Sequence, residues 1–316
     1  MPRISVIIPT YNCAHYLGQA IESALAQTYR DLEVIVLDDG SSDSTRQVAA
    51  KYGSSIHYIW QENRGLAAAR NCAIEASSGE YIALLDADDW WEPNKLEEQL
   101  PKLDGDPQVG LVYSDLRVVY DDGTIVPSFL FSRPLAAEGY VFDRLIKSGF
   151  ILPSTVLLRR TCLDEVGMFN EAMRSHEDIE LWFRICQKWK VAVIRKPLVH
   201  RRQGSQNMTS DPRLRAEYIV ELFERALTLP RLTPQQHREM IRRLGESYLE
   251  RGYFYFTKGR MHECRKSMIQ SLRCNCWNRR VWRCYALSLL PERTVNFMKN
   301  CREYMRNHGL PERKND

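Results

Sequence analysis

The sequence lacks an apolar run long enough to cross a membrane as a helix. Spanning the hydrocarbon core takes roughly 18 or more apolar residues, and the longest runs here, such as residues 81–85, have the length of a strand. We expect no secretory signal, because only three residues come before the first strand-like run at Ile4. We therefore expect a cytoplasmic protein that is soluble or bound peripherally at the inner face of a membrane.

The nine cysteines lack the paired C-x2-C spacing of common zinc sites. Four of them cluster at positions 264, 274, 276 and 284. Small buried side chains on helices explain this cluster better than a metal does. Because the total is odd and no signal is present, reduced thiols are the simplest interpretation.

The chain has little net charge, at +4 over 316 residues, and this alone excludes no class of partner. The distribution is uneven, with 22 basic and 28 acidic residues in the first 210 and 22 basic and 12 acidic residues in the remainder. An acidic first part suits cation binding, and a basic second part suits phosphates, anionic lipid headgroups or nucleic acid. A solvated helical surface rich in arginine explains the basic part equally well.

Hydrophobic periodicity alternates between strand and helix over the first 100 residues. Strands are predicted at residues 4–9, 32–37, 56–60 and 81–85. Helices are predicted at residues 15–28, 45–52, 65–76 and 95–103. This alternation is typical of a parallel sheet with helices on both faces, where ligands bind at the carboxyl ends of the strands.

The pattern changes after residue 110. A hairpin (residues 111–120 and 124–131), two strands (154–158 and 191–194) and a helix (177–188) are predicted there. Residues 203–213 have the composition of a linker. From residue 215 the period is helical throughout, with a weak match to half of a tetratricopeptide repeat. We predict two domains, residues 1–210 and 211–316.

Acidic clusters follow two of the predicted strands. In the first, the carboxylates of Asp86, Asp88 and Asp89 suit a divalent cation that shares its other positions with water and substrate phosphates. Helix capping by Asp88 or Asp89 is the alternative. In the second, Asp39 can accept a hydrogen bond from a base or a ribose, or it can hold a turn.

Three further features each allow two interpretations. Arg70, inside an alanine-rich helix, can reach a diphosphate or pair with nearby carboxylates. Asp178, at a helix start, can be a general base or only a favourable charge at the helix N-terminus. Residues 200–207 form a polar loop that can close over phosphates or serve as a surface linker.

The ordered combination of these segments resembles the catalytic domain of glycosyltransferase family 2. The segments are I-S-V-I-I-P-T-Y-N, L-E-V-I-V-L-D-D-G-S-S-D, N-R-G-L-A-A-A-R-N, G-E-Y-I-A-L-L-D-A-D-D and an E-D pair before a helix. They cover roughly residues 3–210. The resemblance implies a GT-A fold, an α/β architecture with a mixed, mainly parallel sheet flanked by helices (Rossmann-like), followed here by an all-helical C-terminal region.

The resemblance also implies an inverting sugar transfer from a nucleotide diphosphate donor, assisted by Mg²⁺ or Mn²⁺. The nucleotide-sugar site that it implies comprises Pro9, Thr10, Tyr11, Asp39, Arg70, Asp86, Ala87 and Asp88. Asp39 would contact the base, most often uracil, and Asp86 the ribose or the donor sugar. Asp88 would bind the metal that bridges the diphosphate, and Asp178 would deprotonate the acceptor hydroxyl.

One segment departs from the family pattern. Members often carry Y-R-x-H-G-x-N after the last strand, whereas Gln203 precedes Gly204 here and the nearest histidine is His200. Either His200 assists the metal or water completes its coordination.

We expect a glycosyltransferase that builds a polysaccharide or cell-surface glycan, using a UDP-sugar and a glycan or lipid-linked acceptor. The basic helical region, with Trp277 and Trp282 among arginines, suits an anionic membrane surface or is a packed appendage. A catalytically silent scaffold is the alternative function. No recognition motif supports a nucleic-acid partner, and a nucleotidyltransferase would show a glycine-rich basic loop where residues 9–12 stand.

Overall fold

Four parallel strands form one half of the sheet. They are β1 (Ile4–Thr10), β2 (Leu32–Asp38), β3 (His57–Trp60) and β4 (Tyr81–Leu84), in the order β3-β2-β1-β4. The computed structural model describes residues 1–131, 136–204 and 212–290. It divides the chain into two compact units, Met1–Ser210 (the sheet unit) and Asp211–Asp316 (the helical unit).

Helices alternate with these strands as the sequence predicted. They are α1 (Ala14–Leu25), α2 (Thr45–Ala50), α3 (Leu66–Glu75) and α4 (Lys95–Gly105). The α3 helix follows Gly65, whose φ of +93° favours glycine. Its small side chains are buried, so this helix packs closely on β1 and β2.

The other half of the sheet makes it mixed. It contains β5 (Trp90–Trp91), β6 (Val109–Tyr120), β7 (Ile125–Val126), β8 (Val156–Arg159) and β9 (Lys190–Gln203). Strand β8 lies antiparallel between β4 and β6, while β9 is parallel to β6. Most strands therefore share one direction, which confirms the predicted mixed, mainly parallel sheet flanked by helices.

Three helices pack in this second half of the sheet unit. They are α5 (Phe142–Lys147), α6 (Arg160–Val166) and α7 (Glu177–Cys186). Sequence periodicity predicted α7 but not the shorter α5 and α6, nor the two-residue strand β5.

Strand β9 is much longer than the predicted strand at 191–194. Residues 200–203, which the sequence assigned to a loop, continue this strand because they pair with residues 117–120 of β6. Strand β5 pairs with the same segment from the other side, at Trp90 and His200. Residues 205–211, within the predicted linker, lie outside the described residues.

The helical unit consists of four described helices, which confirms an all-helical C-terminal region. They are α8 (Pro212–Ala226), α9 (Pro234–Thr257), α10 (Met261–Cys274) and α11 (Arg279–Ser288). A side chain at Gly252 would place its Cβ 2.4 Å from the Cε of Met268, so glycine lets α9 and α10 approach closely. In the described ranges no helix is long and apolar enough to cross a bilayer.

Candidate active site

The carboxyl ends of neighbouring strands bring the predicted donor-site residues to one edge of the sheet. Thr10 is the last residue of β1 and pairs in register with Asp38 of β2. The carbonyl oxygen of Thr10 accepts a hydrogen bond from the Asp39 N–H at 2.9 Å. Residues 86–89, which we call the acidic turn, follow β4. This turn begins beside Thr10 and Asp38, because β4 pairs with the opposite side of β1. This edge is where a parallel α/β sheet presents its ligand site.

The Asp39 side chain accepts hydrogen bonds from residues 61–65, the segment that leads into α3. Its Oδ1 accepts from Gln61 Nε2 at 2.7 Å and from the Arg64 N–H at 2.9 Å, and its Oδ2 accepts from the Gly65 N–H at 2.8 Å. The carboxylate is buried. Each of its oxygens has two lone pairs, so Oδ2 retains the capacity to accept one further hydrogen bond.

Two buried polar atoms near this carboxylate have no hydrogen-bond partner within the described ranges. They are Oγ1 of Thr10 and Oε1 of Gln61. A buried polar group without a partner is costly and points to a ligand or water. Pro9 and Thr10 are buried, whereas Tyr11 is 54% exposed and presents its ring to solvent.

A buried arginine links the acidic turn after β4 to the start of α7. Arg70 is 1% exposed, and its guanidinium donates to Glu177 Oε1 at 2.6 Å and to Asp86 Oδ1 at 2.8 Å. The ring of Phe169 covers the guanidinium, with its centroid 5.2 Å from Cζ. Of the two interpretations that the sequence allowed for Arg70, the geometry therefore supports pairing with carboxylates.

Asp178 lies next to Glu177 in the first turn of α7. Its Oδ1 accepts from the Ile179 N–H at 2.8 Å. Burial and the neighbouring charge of Glu177 raise the pKa of Asp178 to about 7, although the Arg70 guanidinium opposes the shift. A carboxylate whose pKa lies near neutral pH is suited to proton transfer.

The three carboxylates of the acidic turn have different environments. Burial and the charge of Asp86 raise the pKa of Asp88 to about 6. Asp89 is buried, accepts from Ser154 Oγ at 2.6 Å and from the Arg202 N–H at 3.1 Å, and has a raised pKa because of burial and its acidic neighbours. Asp89 therefore holds the turn together, and Ala87 is buried inside it.

Asp86 and Asp88 are the residues at this edge that suit a divalent cation. Their mutual repulsion, seen in the raised pKa of Asp88, is what a bound cation relieves. In the described part of the chain no three His, Cys, Asp or Glu side chains gather as a metal site. The donor set fits Mg²⁺ or Mn²⁺, because such ions need few carboxylates when substrate phosphates and water supply the rest.

Assistance of the metal by His200 stays a prediction, and the contacts of this side chain are with Glu92, Arg117 and Trp90. Its Nε2 lies 2.9 Å from Glu92 Oε1 and 3.4 Å from Arg117 Nη1. Its ring stacks on Trp90 with a centroid separation of 4.8 Å. The pairing of β5 with β9 fixes this arrangement, so His200 stabilises the sheet.

Arg202 belongs to the segment that the sequence allowed either to close over phosphates or to serve as a surface linker. The structure places Arg202 beside the acidic turn. Its Nε donates to the Asp88 carbonyl at 3.3 Å and its Nη2 donates to Gln19 Oε1 at 2.8 Å. The guanidinium carbon lies 4.3 Å from the ring centroid of Tyr16 and 4.9 Å from that of Trp90. The extension of β9 puts this cation next to the candidate donor site.

Comparisons with known proteins agree with this architecture. An uncharacterized glycosyltransferase of Rickettsia conorii is 33% identical over 260 residues, which are 78% of this chain and 41% of the relative. The chain thus spans about two fifths of that relative's length. An Escherichia coli protein, UDP-Glc:alpha-D-GlcNAc-diphosphoundecaprenol beta-1,3-glucosyltransferase WfaP, is 34% identical over 190 residues, which are 60% of this chain and 72% of WfaP.

The fold also has solved counterparts. The crystal structure of S. aureus TarS 1-349 in complex with UDP-GlcNAc matches with a TM-score of 0.64 and 21% identity, over 86% of this chain and 81% of the TarS chain. This likeness confirms the predicted GT-A fold. The model of the family described as Glycosyl transferase family 2 matches residues 5–167. Since that match spans more than half of the 316 residues, the chain belongs to glycosyl transferase family 2, as its sequence segments predicted.

Proposed function

We propose that this protein is an inverting glycosyltransferase. It moves a sugar from a nucleotide diphosphate donor, of which UDP-sugars are the favoured class, to a hydroxyl of a glycan or lipid-linked acceptor. Membership of the family supports the reaction class. The activity that the name of WfaP gives, a glucosyl transfer from UDP-Glc to a diphosphoundecaprenol-linked sugar, supports a role in polysaccharide or cell-surface glycan synthesis.

The observation that carries the proposal is the buried bridge formed by Arg70. One guanidinium contacts both Asp86 of the acidic turn and Glu177 beside Asp178. This contact fixes the candidate donor-binding turn relative to the candidate base. Holding two reacting groups in fixed relative positions is a major source of catalysis.

The nucleotide is proposed to bind where β1 and β2 end. Asp39 would accept a hydrogen bond from the N–H of the base through its remaining acceptor capacity. The unpartnered Thr10 hydroxyl and Gln61 carbonyl would supply further polar contacts, and Tyr11, Pro9 and the loop around them would flank the base. Uracil suits Asp39 through its one ring N–H and the Thr10 hydroxyl through a carbonyl group, whereas Gln61 Oε1, which can only accept, would take a hydrogen bond from a ribose hydroxyl.

The diphosphate is proposed to lie over the acidic turn. Asp88, with Asp86, would hold Mg²⁺ or Mn²⁺, and this ion would neutralise the charge that develops on the leaving diphosphate. Arg202 would add positive charge at the same end of the site. Arg70 would act by positioning Asp86, because its guanidinium is buried and already engaged by two carboxylates.

The transfer itself is proposed to be a single displacement. Asp178 takes the proton of the acceptor hydroxyl while the acceptor oxygen forms a bond to the anomeric carbon. The bond from that carbon to the diphosphate oxygen breaks on the opposite face, so the nucleoside diphosphate leaves and the anomeric configuration inverts. The raised pKa of Asp178 supports this role, since a base that titrates near neutral pH can accept and release a proton during turnover.

A thermal-shift screen tests the donor site directly. UDP, GDP, TDP, ADP and CDP are each added with and without Mn²⁺, because a ligand of the native state raises the melting temperature. We expect a Mn²⁺-dependent shift with UDP, followed by formation of an inverted product with UDP-sugars and a glycan acceptor. No shift with any nucleotide contradicts the proposal and favours the alternative, a catalytically silent scaffold.

A further inference from the structure

The outer face of α11 combines aromatic and basic side chains. The inner face of this helix buries Val281 and Cys284 in a cluster with Tyr255, Met268 and other residues of α9 and α10. The opposite face leaves Arg279, Trp282 and Arg283 exposed. The helix is thus fully anchored on one side, and its exposed apolar side chains are not needed for the core of the unit.

These side chains continue into the turns at both ends of the helix. We call the Trp–Arg surface the set formed by Trp277, Arg279, Arg280, Trp282, Arg283 and Leu289. Trp277 is 88% exposed and Trp282 is 51% exposed. The indole of Trp282 donates to the Cys276 carbonyl at 2.7 Å, which holds its ring beside the turn that carries Trp277.

The charge around this surface has one sign. Residues 264–290 contain six basic residues and no acidic one. Many other arginines of the helical unit are paired, as Arg242 is with Glu239. Within the described ranges, Arg279, Arg280 and Arg283 have no acidic partner. Among the residues that the structure describes, no carboxylate pairs with the positive charges of this surface.

We propose that the Trp–Arg surface binds the interface of an anionic lipid membrane. Tryptophan prefers the headgroup region, where its ring is shielded from water and its N–H still finds a polar partner. Arginine side chains close to a membrane are attracted to anionic headgroups. The exposed Leu289 and the two indoles distinguish this surface from a purely basic face for nucleic acid, in which phosphate contacts dominate affinity.

The proposal is independent of the transfer reaction and is tested without donor or acceptor. The full chain is sedimented with phosphatidylcholine vesicles, with or without about 30% phosphatidylglycerol, in about 0.1 M NaCl. We expect at least about tenfold stronger binding to the anionic vesicles, because each basic residue near such a surface contributes about fivefold. The difference should fall in high salt, which screens charges.

Two variants separate the apolar and the charged contributions. Trp277→Ser/Trp282→Ser removes the indoles and should weaken binding about tenfold or more. Arg279→Glu/Arg280→Glu changes only exposed charges and should weaken it about 25-fold or more. The matched control, Arg238→Glu/Lys258→Glu, makes the same charge change at two exposed positions, one in α9 and one directly after it, and should keep most of the wild-type binding. Melting temperatures confirm that each variant is folded.

Several results would overturn the proposal. The first is a wild-type chain that does not sediment with anionic vesicles, because the exposed indoles and arginines then do not bind such a membrane. The second is a dimer that the Trp277→Ser/Trp282→Ser variant converts to a monomer, which would make a second copy of the chain the occupant. The third is displacement from the vesicles by a low concentration of double-stranded RNA. Equal losses in the control and in Arg279→Glu/Arg280→Glu would also contradict it, because only general charge would then matter.

Discussion

Arg70 and Glu177 form an ion pair of 2.6 Å in which both side chains are buried, although 107 residues separate them in the sequence. The same guanidinium reaches Asp86 at 2.8 Å. Removing a charge from a dry interior pair leaves its partner without compensation. The pair therefore makes the position of α7 depend on α3 and on the acidic turn after β4.

Replacing Arg70 should destabilise the protein strongly. We expect Arg70→Met to lower the free energy of unfolding by about 3–5 kcal/mol, because Glu177 remains buried and unpaired. Arg3→Met, which breaks a more exposed contact with Asp104, should cost at most about 1 kcal/mol. Urea unfolding followed by circular dichroism measures both. The double variant Arg70→Met/Glu177→Gln should recover part of the lost free energy of unfolding. Equal losses in Arg70→Met and Arg3→Met would contradict the prediction that the buried pair contributes more than the exposed one.

The pH dependence of transfer should report the ionisation of Asp178. Its carboxylate is the active form, so kcat/KM should rise with pH up to the pKa of about 7 and level off above it. In Glu177→Gln the neighbouring negative charge is gone and the positive charge of Arg70 is less neutralised. Both changes lower the pKa of Asp178, so the rise should move by about 1 unit to lower pH.

Asp178→Asn provides the control for this profile. It should lose transfer at every pH while it keeps UDP binding. Since the raised pKa means that the ionised carboxylate costs stability in the folded state, the amide should also raise the melting temperature at pH 8. A Glu177→Gln profile with an unchanged midpoint, or transfer retained by Asp178→Asn, would place the base elsewhere.

Local patterns predicted the first half of the sheet unit well. The strands and helices up to residue 103 each have a clear period of their own, and the structure places every one of them within a few residues of the predicted bounds. The positions of the turns after these strands could be predicted too, because a parallel sheet puts the carboxyl ends of β1, β2 and β4 on one edge.

Non-local contacts account for what the sequence did not reveal. Residues 200–203 are polar and precede Gly204, yet they are a strand because β6 pairs with all four of them and β5 pairs with His200. Glu177 had the ordinary look of an acidic residue at a helix start, and its burial depends on a guanidinium from α3. No local pattern encodes either pairing, and the contacts of His200 with Glu92 and Trp90 depend in the same way on residues far away in the sequence.

Asp39 should control affinity for the nucleotide. Asp39→Asn removes the charged acceptor that we assign to the base N–H, and we expect the Kd for UDP to rise by roughly 10- to 100-fold, as for a hydrogen bond to a charged group. Glu62→Gln, an exposed neighbour on the same segment, is the matched control and should leave the Kd unchanged. Isothermal titration calorimetry in the presence of Mn²⁺ measures both. Wild-type affinity in Asp39→Asn would exclude Asp39 from the base site.

Asp88 and His200 should differ in their effect on metal dependence. Asp88→Asn removes a carboxylate that we assign to the cation, so UDP binding should no longer strengthen when Mn²⁺ is added. His200→Ala should keep the wild-type response to Mn²⁺, because the imidazole is engaged by Glu92 and stacked on Trp90. It should instead lower the melting temperature through the loss of those two contacts. Titration of Mn²⁺ at fixed UDP after EDTA treatment, with bound UDP as the readout, separates these outcomes. A weaker Mn²⁺ response in His200→Ala with an unchanged one in Asp88→Asn would reverse the two assignments.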